Sequence, residues 1–253
     1  MKLGLALGGG GARALGSLGV MTILSERGIQ PVGLSGTSMG ALIAAYYGVH
    51  GETETLRRWF EERKVRDYFG FMARPLGMPG LVGTTKLRKQ VETLLLAKTF
   101  AETRVPVRVV ATDLRTGKQA VFSKGPLVDA VMASMAIPGL FPPVKIDGHY
   151  YIDGGISNPV PVDVVPGRPT RVIGTNFVVP PPKRLDAPTL TDALTLSLNN
   201  AMRLALDRHT TKKCAIITPD KEPRPGILRF DQAKKYIALG EDAGRKIVKG
   251  WER

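Results

Sequence analysis

Cysteine is almost absent from this sequence, since Cys214 is the single one in 253 residues. One cysteine excludes an intramolecular disulfide framework and is typical of a reducing compartment, which favours a cytoplasmic protein. No run of 18 or more apolar residues occurs, so we expect no membrane-spanning helix. The apolar stretch Leu3–Leu7 is too short for the core of a signal peptide, and we interpret it as a strand.

Acidic residues are also under-represented, because 22 Asp and Glu face 36 Lys and Arg, giving a net charge of +14. Such a charge attracts polyanions, either an anionic lipid surface or nucleic acid. The basic residues are scattered, with no basic tail and no nucleic-acid-binding motif, so we expect no nucleic-acid partner. Two interpretations stay open: peripheral contact with an anionic membrane, or an ordinary solvated surface.

Apolar and β-branched runs alternate with segments of helical period along the whole chain. This alternation predicts an α/β protein with a mostly parallel central sheet covered by helices on both faces, in three α/β/α layers. The length suits a single domain over residues 1–253. Predicted strands are 3–7, 31–34, 105–111, 119–122, 150–152, 171–177 and 215–218, and predicted helices are 14–26, 39–47, 53–62, 85–96, 126–135, 190–208 and 230–249.

The segment Gly36-Thr37-Ser38-Met39-Gly40 matches the G-x-S-x-G pattern of a nucleophile elbow. A sharp strand-to-helix turn there raises a serine above the sheet, and Gly36 and Gly40 allow the chain to pack closely on both sides. A predicted strand precedes the motif and a predicted helix follows it. Ser38 is therefore the candidate nucleophile, whereas Ser35 lacks the flanking glycine spacing.

Acyl transfer also needs N–H donors for a developing oxyanion, and the glycine-rich turn after the first strand offers them. Gly9, Gly10 and Gly11 are the candidate donors. The same turn fits the G-x-G-x-x-A fingerprint of dinucleotide binding, which is the competing interpretation. That interpretation requires an acidic residue at the end of the second strand, and residues 31–36 contain none. We therefore expect no nucleotide, and no other cofactor or metal.

The candidate base is Asp153, which ends an apolar strand and is followed by Gly154 and Gly155. Glycines at a strand end let a carboxylate approach another backbone closely, although an ordinary Asp-Gly turn is the alternative. In an extended strand His149 would lie about 13 Å from Asp153, beyond hydrogen-bonding distance. We interpret the three histidines as structural or surface residues, so the sequence favours a Ser–Asp dyad. Burial of Asp153 is expected to raise its pKa and to keep the site poor in water.

Together these motifs resemble the patatin-like phospholipase family, and bacterial members most closely. The resemblance rests on 7–13, 36–40 and 153–155, with support from 111–117 and 133–143. It implies a three-layer fold, direct acylation of Ser38 with Asp153 as base, and an oxyanion hole from Gly9 to Gly11 assisted by Arg13, without a metal. Ala14 and Ser17 occupy positions where the family usually has glycine and often histidine.

The expected function is therefore hydrolysis of lipid esters, with phospholipid, lysophospholipid, glyceride and thioester substrates all left open. The alternatives are an inactive lipid-binding or regulatory module on the same fold and, last, a nucleic-acid binder. Residues 68–81 are aromatic and interrupted by glycine and proline. We interpret them as a loop packed over the core, and a lid or membrane-touching loop is the alternative. The sequence predicts no oligomeric state.

Overall fold

The computed structural model describes residues 1–62, 84–178, 189–209, 214–218 and 228–251. Its strands are β1 (Leu3–Leu7), β2 (Pro31–Thr37), β3 (Val107–Asp113), β4 (Gln119–Phe122), β5 (Val144–Ile146), β6 (His149–Asp153), β7 (Arg171–Thr175) and β8 (Cys214–Ile217). Its helices are α1 (Gly16–Glu26), α2 (Met39–His50), α3 (Glu54–Glu61), α4 (Thr84–Leu95), α5 (Leu127–Ser134), α6 (Leu190–His209) and α7 (Ala233–Trp251). Within these described ranges, no helix combines the length and apolar character needed to cross a bilayer.

Each predicted strand and helix has a counterpart in the structure, with boundaries that differ by a few residues. β2 continues to Thr37, so the strand runs directly into Ser38. The predicted first helix begins at Gly16, and a 3-10 turn, Gly11–Leu15, precedes it. Strand β5 was not predicted, because three residues that follow two prolines are too few to show an alternating apolar pattern. The predicted loop 68–81 lies outside the described residues.

The described strands form one mixed sheet, hydrogen-bonded in the order β5-β6-β3-β2-β1-β7-β8, with β4 also paired to β3. The pairs among β3, β2, β1, β7 and β8 are parallel, whereas β4, β5 and β6 pair antiparallel. The carboxyl ends of the parallel strands therefore meet at one edge, where ligands bind in open α/β sheets. This confirms the predicted α/β class with a mostly parallel sheet.

Both faces of the sheet centre are covered, as the continuous burial of β1 requires. Leu3, Leu5 and Leu7 belong to a large apolar core with α1, α2 and α7, while Ala6 belongs to a second cluster with Val160. Successive strand residues point to opposite faces, so these two clusters lie on opposite sides of the sheet. A layered α/β/α arrangement results.

Candidate active site

Ser38 stands at the turn between β2 and α2 in a backbone conformation that few residues other than glycine adopt. Its φ is 56° and its ψ is −125°, a combination that costs on the order of 1–3 kcal/mol. Its N–H donates to Ser134 Oγ at 2.8 Å, and that hydroxyl donates to the Val110 carbonyl at 2.5 Å. Hydrogen bonds to α5, and through it to β3, therefore help to hold the turn in this conformation.

The glycines flanking Ser38 are required by close backbone contacts. A Cβ added to Gly40 would lie 2.0 Å from the Leu7 carbonyl oxygen, and one added to Gly36 would lie 2.4 Å from the Gly40 oxygen. Neither distance is compatible with a side chain. The first turn of α2 therefore packs directly against the end of β1, and this contact brings Ser38 beside the glycine loop.

Gly40→Ala tests this packing. Alanine normally favours a helix over glycine by about 1 kcal/mol, but here its methyl would collide with backbone. We expect Gly40→Ala to lower the free energy of unfolding by more than about 2 kcal/mol in urea denaturation. Gly250→Ala is the matched control, because Gly250 is helical and has no atom within 4 Å of its added Cβ. Equal stability of the two variants would contradict the contact.

The topology brings Asp153 to Ser38 from the opposite direction. β4 pairs with one edge of β3. β2 and β6 therefore both pair with the opposite edge of β3, where they lie end to end. Thr37, the last residue of β2, is opposite Val110, and Asp153, the last residue of β6, is opposite Ala111. The two strands therefore meet at adjacent positions of β3, and their end residues face each other across the join.

The Asp153 carboxylate is bonded on both oxygens. The Ser38 hydroxyl donates to Oδ2 at 2.6 Å, and the Gly155 N–H donates to Oδ1 at 2.8 Å. Burial raises the pKa of Asp153 to about 6, although both hydrogen bonds act to lower it. Ser38 and Asp153 are 4% and 5% exposed. The burial expected for Asp153 is present, and it is the cause of the raised pKa.

The glycine loop differs from the prediction at one position. The Gly9 N–H donates to the Pro159 carbonyl at 3.0 Å, so the expectation that Gly9 supplies an oxyanion donor is wrong in this arrangement. Gly10 and Gly11 have φ values of 137° and 59°, and their N–H groups make no hydrogen bond to any other described residue. The loop thus presents two consecutive amides at the start of the 3-10 turn.

The base of this loop is supported through Thr175 at the end of β7. The Gly8 N–H donates to the Thr175 carbonyl at 3.1 Å, and Ser17 Oγ lies 2.8 Å from Thr175 Oγ1. Ser17, which departs from the family pattern, therefore has a structural partner here. Ala14 is fully buried within the 3-10 turn.

Arg13 is a buried cation behind the loop, with 1% of its surface exposed. Its Nε donates to the Gly10 carbonyl at 3.2 Å, while both terminal nitrogens lack a hydrogen-bond partner among the described residues. Burial lowers its pKa to about 10. The Gly10 carbonyl and the Gly11 N–H belong to one trans peptide and point in opposite directions. The bond from Arg13 therefore fixes the direction of the Gly11 N–H.

Sequence reasoning missed one wall of the site, which α6 provides. Leu198, Asn199 and Met202 line the same cavity as Ser38, Asp153, Gly10, Gly11, Arg13, Ile137, Pro138 and Ile156. Leu198 and Met202 are four residues apart, so both lie on one face of the helix. Helical periodicity predicted α6 itself, but nothing in the sequence indicated which helix would cover the strand ends.

The histidines are engaged elsewhere, as far as the structure describes them. His50 Nε2 lies 2.9 Å from the Leu94 carbonyl oxygen, and His149 is more than half exposed beside Asp113. The His209 side chain lies outside the described residues. Over the described ranges, no group of three or more His, Cys, Asp or Glu side chains is arranged to hold a metal ion.

A strained serine between a strand and a helix of a mainly parallel sheet defines an α/β protein with a nucleophile elbow. The family model for patatin-like phospholipase matches residues 5–166, which include the glycine loop, Ser38 and Asp153. The chain belongs to the patatin-like phospholipase family. The resemblance carried by the motifs is thereby confirmed, and α6 lies beyond the matched range.

Relatives with similar sequences come from bacteria and from an animal. An uncharacterised NTE family protein of Mycobacterium tuberculosis, Rv1063c, is 35% identical over 66% of this chain and 46% of its own. The patatin-like phospholipase domain-containing protein ZK370.4 of Caenorhabditis elegans is 30% identical over 68% of this chain and 13% of its own. This chain therefore spans about half or less of these relatives.

A solved structure supports the fold. VipD from Legionella pneumophila superposes with a TM-score of 0.53 at 15% identity, covering 98% of this chain and 67% of VipD. At this identity the likeness shows the shared fold alone.

Proposed function

We propose that this chain is a serine acyl hydrolase that cleaves carboxylic esters of lipids through a Ser38–Asp153 dyad. The observation that carries the proposal is the 2.6 Å hydrogen bond from the Ser38 hydroxyl to a buried carboxylate. A base needs a pKa near the working pH, and burial raises the pKa of Asp153 to about 6. Family membership supports the lipid ester as the substrate class.

In the proposed reaction, Ser38 Oγ attacks the ester carbonyl carbon while Asp153 accepts the hydroxyl proton. The carbonyl oxygen becomes an oxyanion that accepts hydrogen bonds from the Gly10 and Gly11 N–H groups. When the carbon–oxygen bond of the ester breaks, Asp153 returns the proton to the departing alcohol. Water then attacks the acyl-enzyme with Asp153 again as base, which releases the fatty acid and regenerates Ser38.

Arg13 contributes to this mechanism in two ways. Its Nε bond to the Gly10 carbonyl holds the Gly11 N–H in one orientation before substrate arrives. Its buried positive charge, whose terminal nitrogens have no partner in the described part of the chain, also favours negative charge developing in the cavity. An oxyanion hole organised before the reaction costs no rearrangement during it.

The net charge of +14 supports a membrane rich in anionic lipid as the surface where this substrate is met. Basic side chains near such a surface each contribute about 1 kcal/mol of attraction. The alternative function is an inactive lipid-binding module on the same fold. Such a module would bind the same anionic membrane surface, but Ser38 would not react.

Labelling with a fluorophosphonate probe separates these two functions. We expect covalent modification of Ser38, located by peptide mass spectrometry. Its rate should rise between about pH 5 and about pH 8 with a midpoint near pH 6, because only ionised Asp153 accepts the hydroxyl proton. Ser38→Ala should remain unlabelled. No labelling of the native chain would favour the inactive module, and a rate independent of pH would contradict Asp153 as the base.

A further inference from the structure

One polar side chain in the cavity, that of Asn199, has no role in the reaction proposed above. Ser38, Asp153 and Arg13 are assigned to the chemistry, and the glycine loop contributes backbone amides. Every other side chain that the described part of the chain places on the cavity wall is apolar, namely those of Ile137, Pro138, Ile156, Leu198 and Met202. A carboxamide among such groups is typical of a residue that orients a ligand, because a few polar groups give an apolar pocket its specificity.

Asn199 lies on α6 with 7% of its surface exposed, and its carboxamide makes no hydrogen bond to any residue that the structure describes. Two other buried asparagines do use their carboxamides within the protein. Asn158 Nδ2 donates to Asp163 Oδ1 at 2.7 Å, and Asn176 Oδ1 accepts from the Val178 N–H at 3.0 Å. Buried polar groups normally have a partner, and one without a partner costs stability. The carboxamide of Asn199 is therefore available to a group that enters the cavity with a ligand.

The acyl part of a lipid ester does not supply that partner. It is a hydrocarbon except for its carbonyl oxygen, which the proposed mechanism places against the Gly10 and Gly11 N–H groups. The hydrogen-bonding group must therefore belong to the alcohol part of the ester. A carboxamide both donates and accepts hydrogen bonds, as a hydroxyl does, whereas a phosphate diester or a second carboxylic ester only accepts them. A free hydroxyl is thus the group that best complements Asn199.

We propose that Asn199 is a specificity-determining residue that binds a free hydroxyl group on the alcohol part of the ester. Because Asn199 lines the same cavity as Ser38, this hydroxyl lies on the carbon next to the one that carries the acyl group. The preferred substrates are then partly acylated polyols. This inference rests on the proposed hydrolase function. α6 lies beyond the residues 5–166 that the family model matches, so Asn199 is not one of the shared motifs.

Two esters that differ by one hydroxyl test this inference: 2-hydroxypropyl hexanoate and propyl hexanoate, each below its aggregation concentration. The ratio of their kcat/KM values is divided by the ratio of their rates of alkaline hydrolysis, which corrects for the difference in chemical reactivity. For the native protein we expect a corrected ratio of at least about tenfold in favour of the hydroxylated ester, because the propyl ester leaves the buried carboxamide without a partner.

Asn199→Leu keeps a side chain of similar size and removes its hydrogen-bonding groups. The corrected ratio should fall to within about twofold of unity, because activity toward the hydroxylated ester falls while activity toward the propyl ester is kept. Asn199→Ala lacks the same groups and should shift the ratio in the same direction, so it decides the matter if Asn199→Leu fails to fold.

Asn200→Leu is the matched control. Asn200 follows Asn199 on α6, but it is exposed and does not line the cavity. Its substitution should leave the corrected ratio within about twofold of native, because a surface change of this kind has little effect elsewhere. The ratio compares two substrates of one protein sample, so a loss of folded protein does not alter it.

The possible contrary results differ in what they reject. A native ratio near unity, or an unchanged ratio in folded Asn199→Leu or Asn199→Ala, would reject Asn199 as the determinant and leave the hydrolase proposal intact. An equal loss of kcat for both esters would assign Asn199 to the attacking water and also reject the inference. If the native protein hydrolysed neither ester and Ser38 stayed unlabelled, both proposals would be rejected.

Discussion

Ser38→Ala is expected to lower kcat/KM for ester hydrolysis at least about 1,000-fold, to the residual level that binding and the oxyanion donors supply by themselves. Without Oγ no acyl-enzyme forms. A water molecule in its place would not be held in position for attack, whereas the strained turn holds the serine hydroxyl there. The fold should persist, because the backbone N–H of residue 38 keeps its bond to Ser134 Oγ. Release of acid from a soluble ester, followed at constant pH, measures the effect.

Ser35→Ala provides the comparison for this prediction. Ser35 is also a buried serine of β2, but its hydroxyl donates to the Pro161 carbonyl and it does not line the cavity. Its loss should cost stability while the folded protein keeps its activity. If Ser38→Ala retained more than about a tenth of native activity, another nucleophile would have to be sought.

Asp153→Asn is expected to remove activity to a similar extent and, at the same time, to stabilise the protein above pH 6. The carboxylate has a pKa of about 6 in the folded chain, against an ordinary value of 3.8. The folded state therefore binds this proton more tightly than the unfolded state does. Stability from this group is fully present below about pH 4 and is lost as the pH rises through about 6.

Asparagine does not titrate, so the variant avoids this loss. The rise of the pKa from 3.8 to about 6 corresponds to roughly 3 kcal/mol. We expect a gain of about 1–3 kcal/mol at pH 8, because asparagine forms a weaker hydrogen bond with Ser38 and so recovers only part of that energy. The gain should shrink to nearly zero by pH 4. Urea denaturation at both pH values measures it, with the exposed Asp242→Asn as control. A variant less stable than native at pH 8 would contradict the buried, ionised carboxylate.

The candidate active site combines several features that lower the stability of the fold. It contains a strained serine, a carboxylate in an apolar setting, and a guanidinium whose terminal nitrogens have no partner among the residues that the structure describes. Each of these features costs stability. The surrounding sheet and core offset these costs. Such concentrations of unfavourable features are typical of functional sites, where the chemistry needs them.

The sequence alone was sufficient to predict the features that depend on a few neighbouring residues. The glycine loop, the elbow around Ser38 and the Asp153-Gly154 turn each need a few residues of special conformation, and glycine marks those positions. The raised pKa of Asp153 was also predictable, because the strand that carries it is largely apolar and aromatic. The alternation of strands and helices sufficed for the α/β class, since each element has its own period.

Other features depended on contacts that no local pattern encodes. The role of Gly9 was predicted wrongly because its N–H donates to the carbonyl of Pro159. Pro159 is distant in the sequence, so no local pattern around Gly9 indicates this contact. The α6 wall was missed because a helical period specifies an apolar face but not its neighbour. Strand β5 has three residues and no period to detect.

By itself, the sequence determined which residues are candidates for the proposed chemistry: one serine at a glycine-flanked turn, one carboxylate at a strand end and a loop of amides. Only the tertiary structure decided that they meet, because β2 and β6 share one edge of β3 and so join residues 115 positions apart. It also decided which loop amides lack a hydrogen bond within the described part of the chain and which helix lines the cavity. Backbone conformation is specified over a few neighbouring residues, whereas burial and contact depend on how distant segments pack.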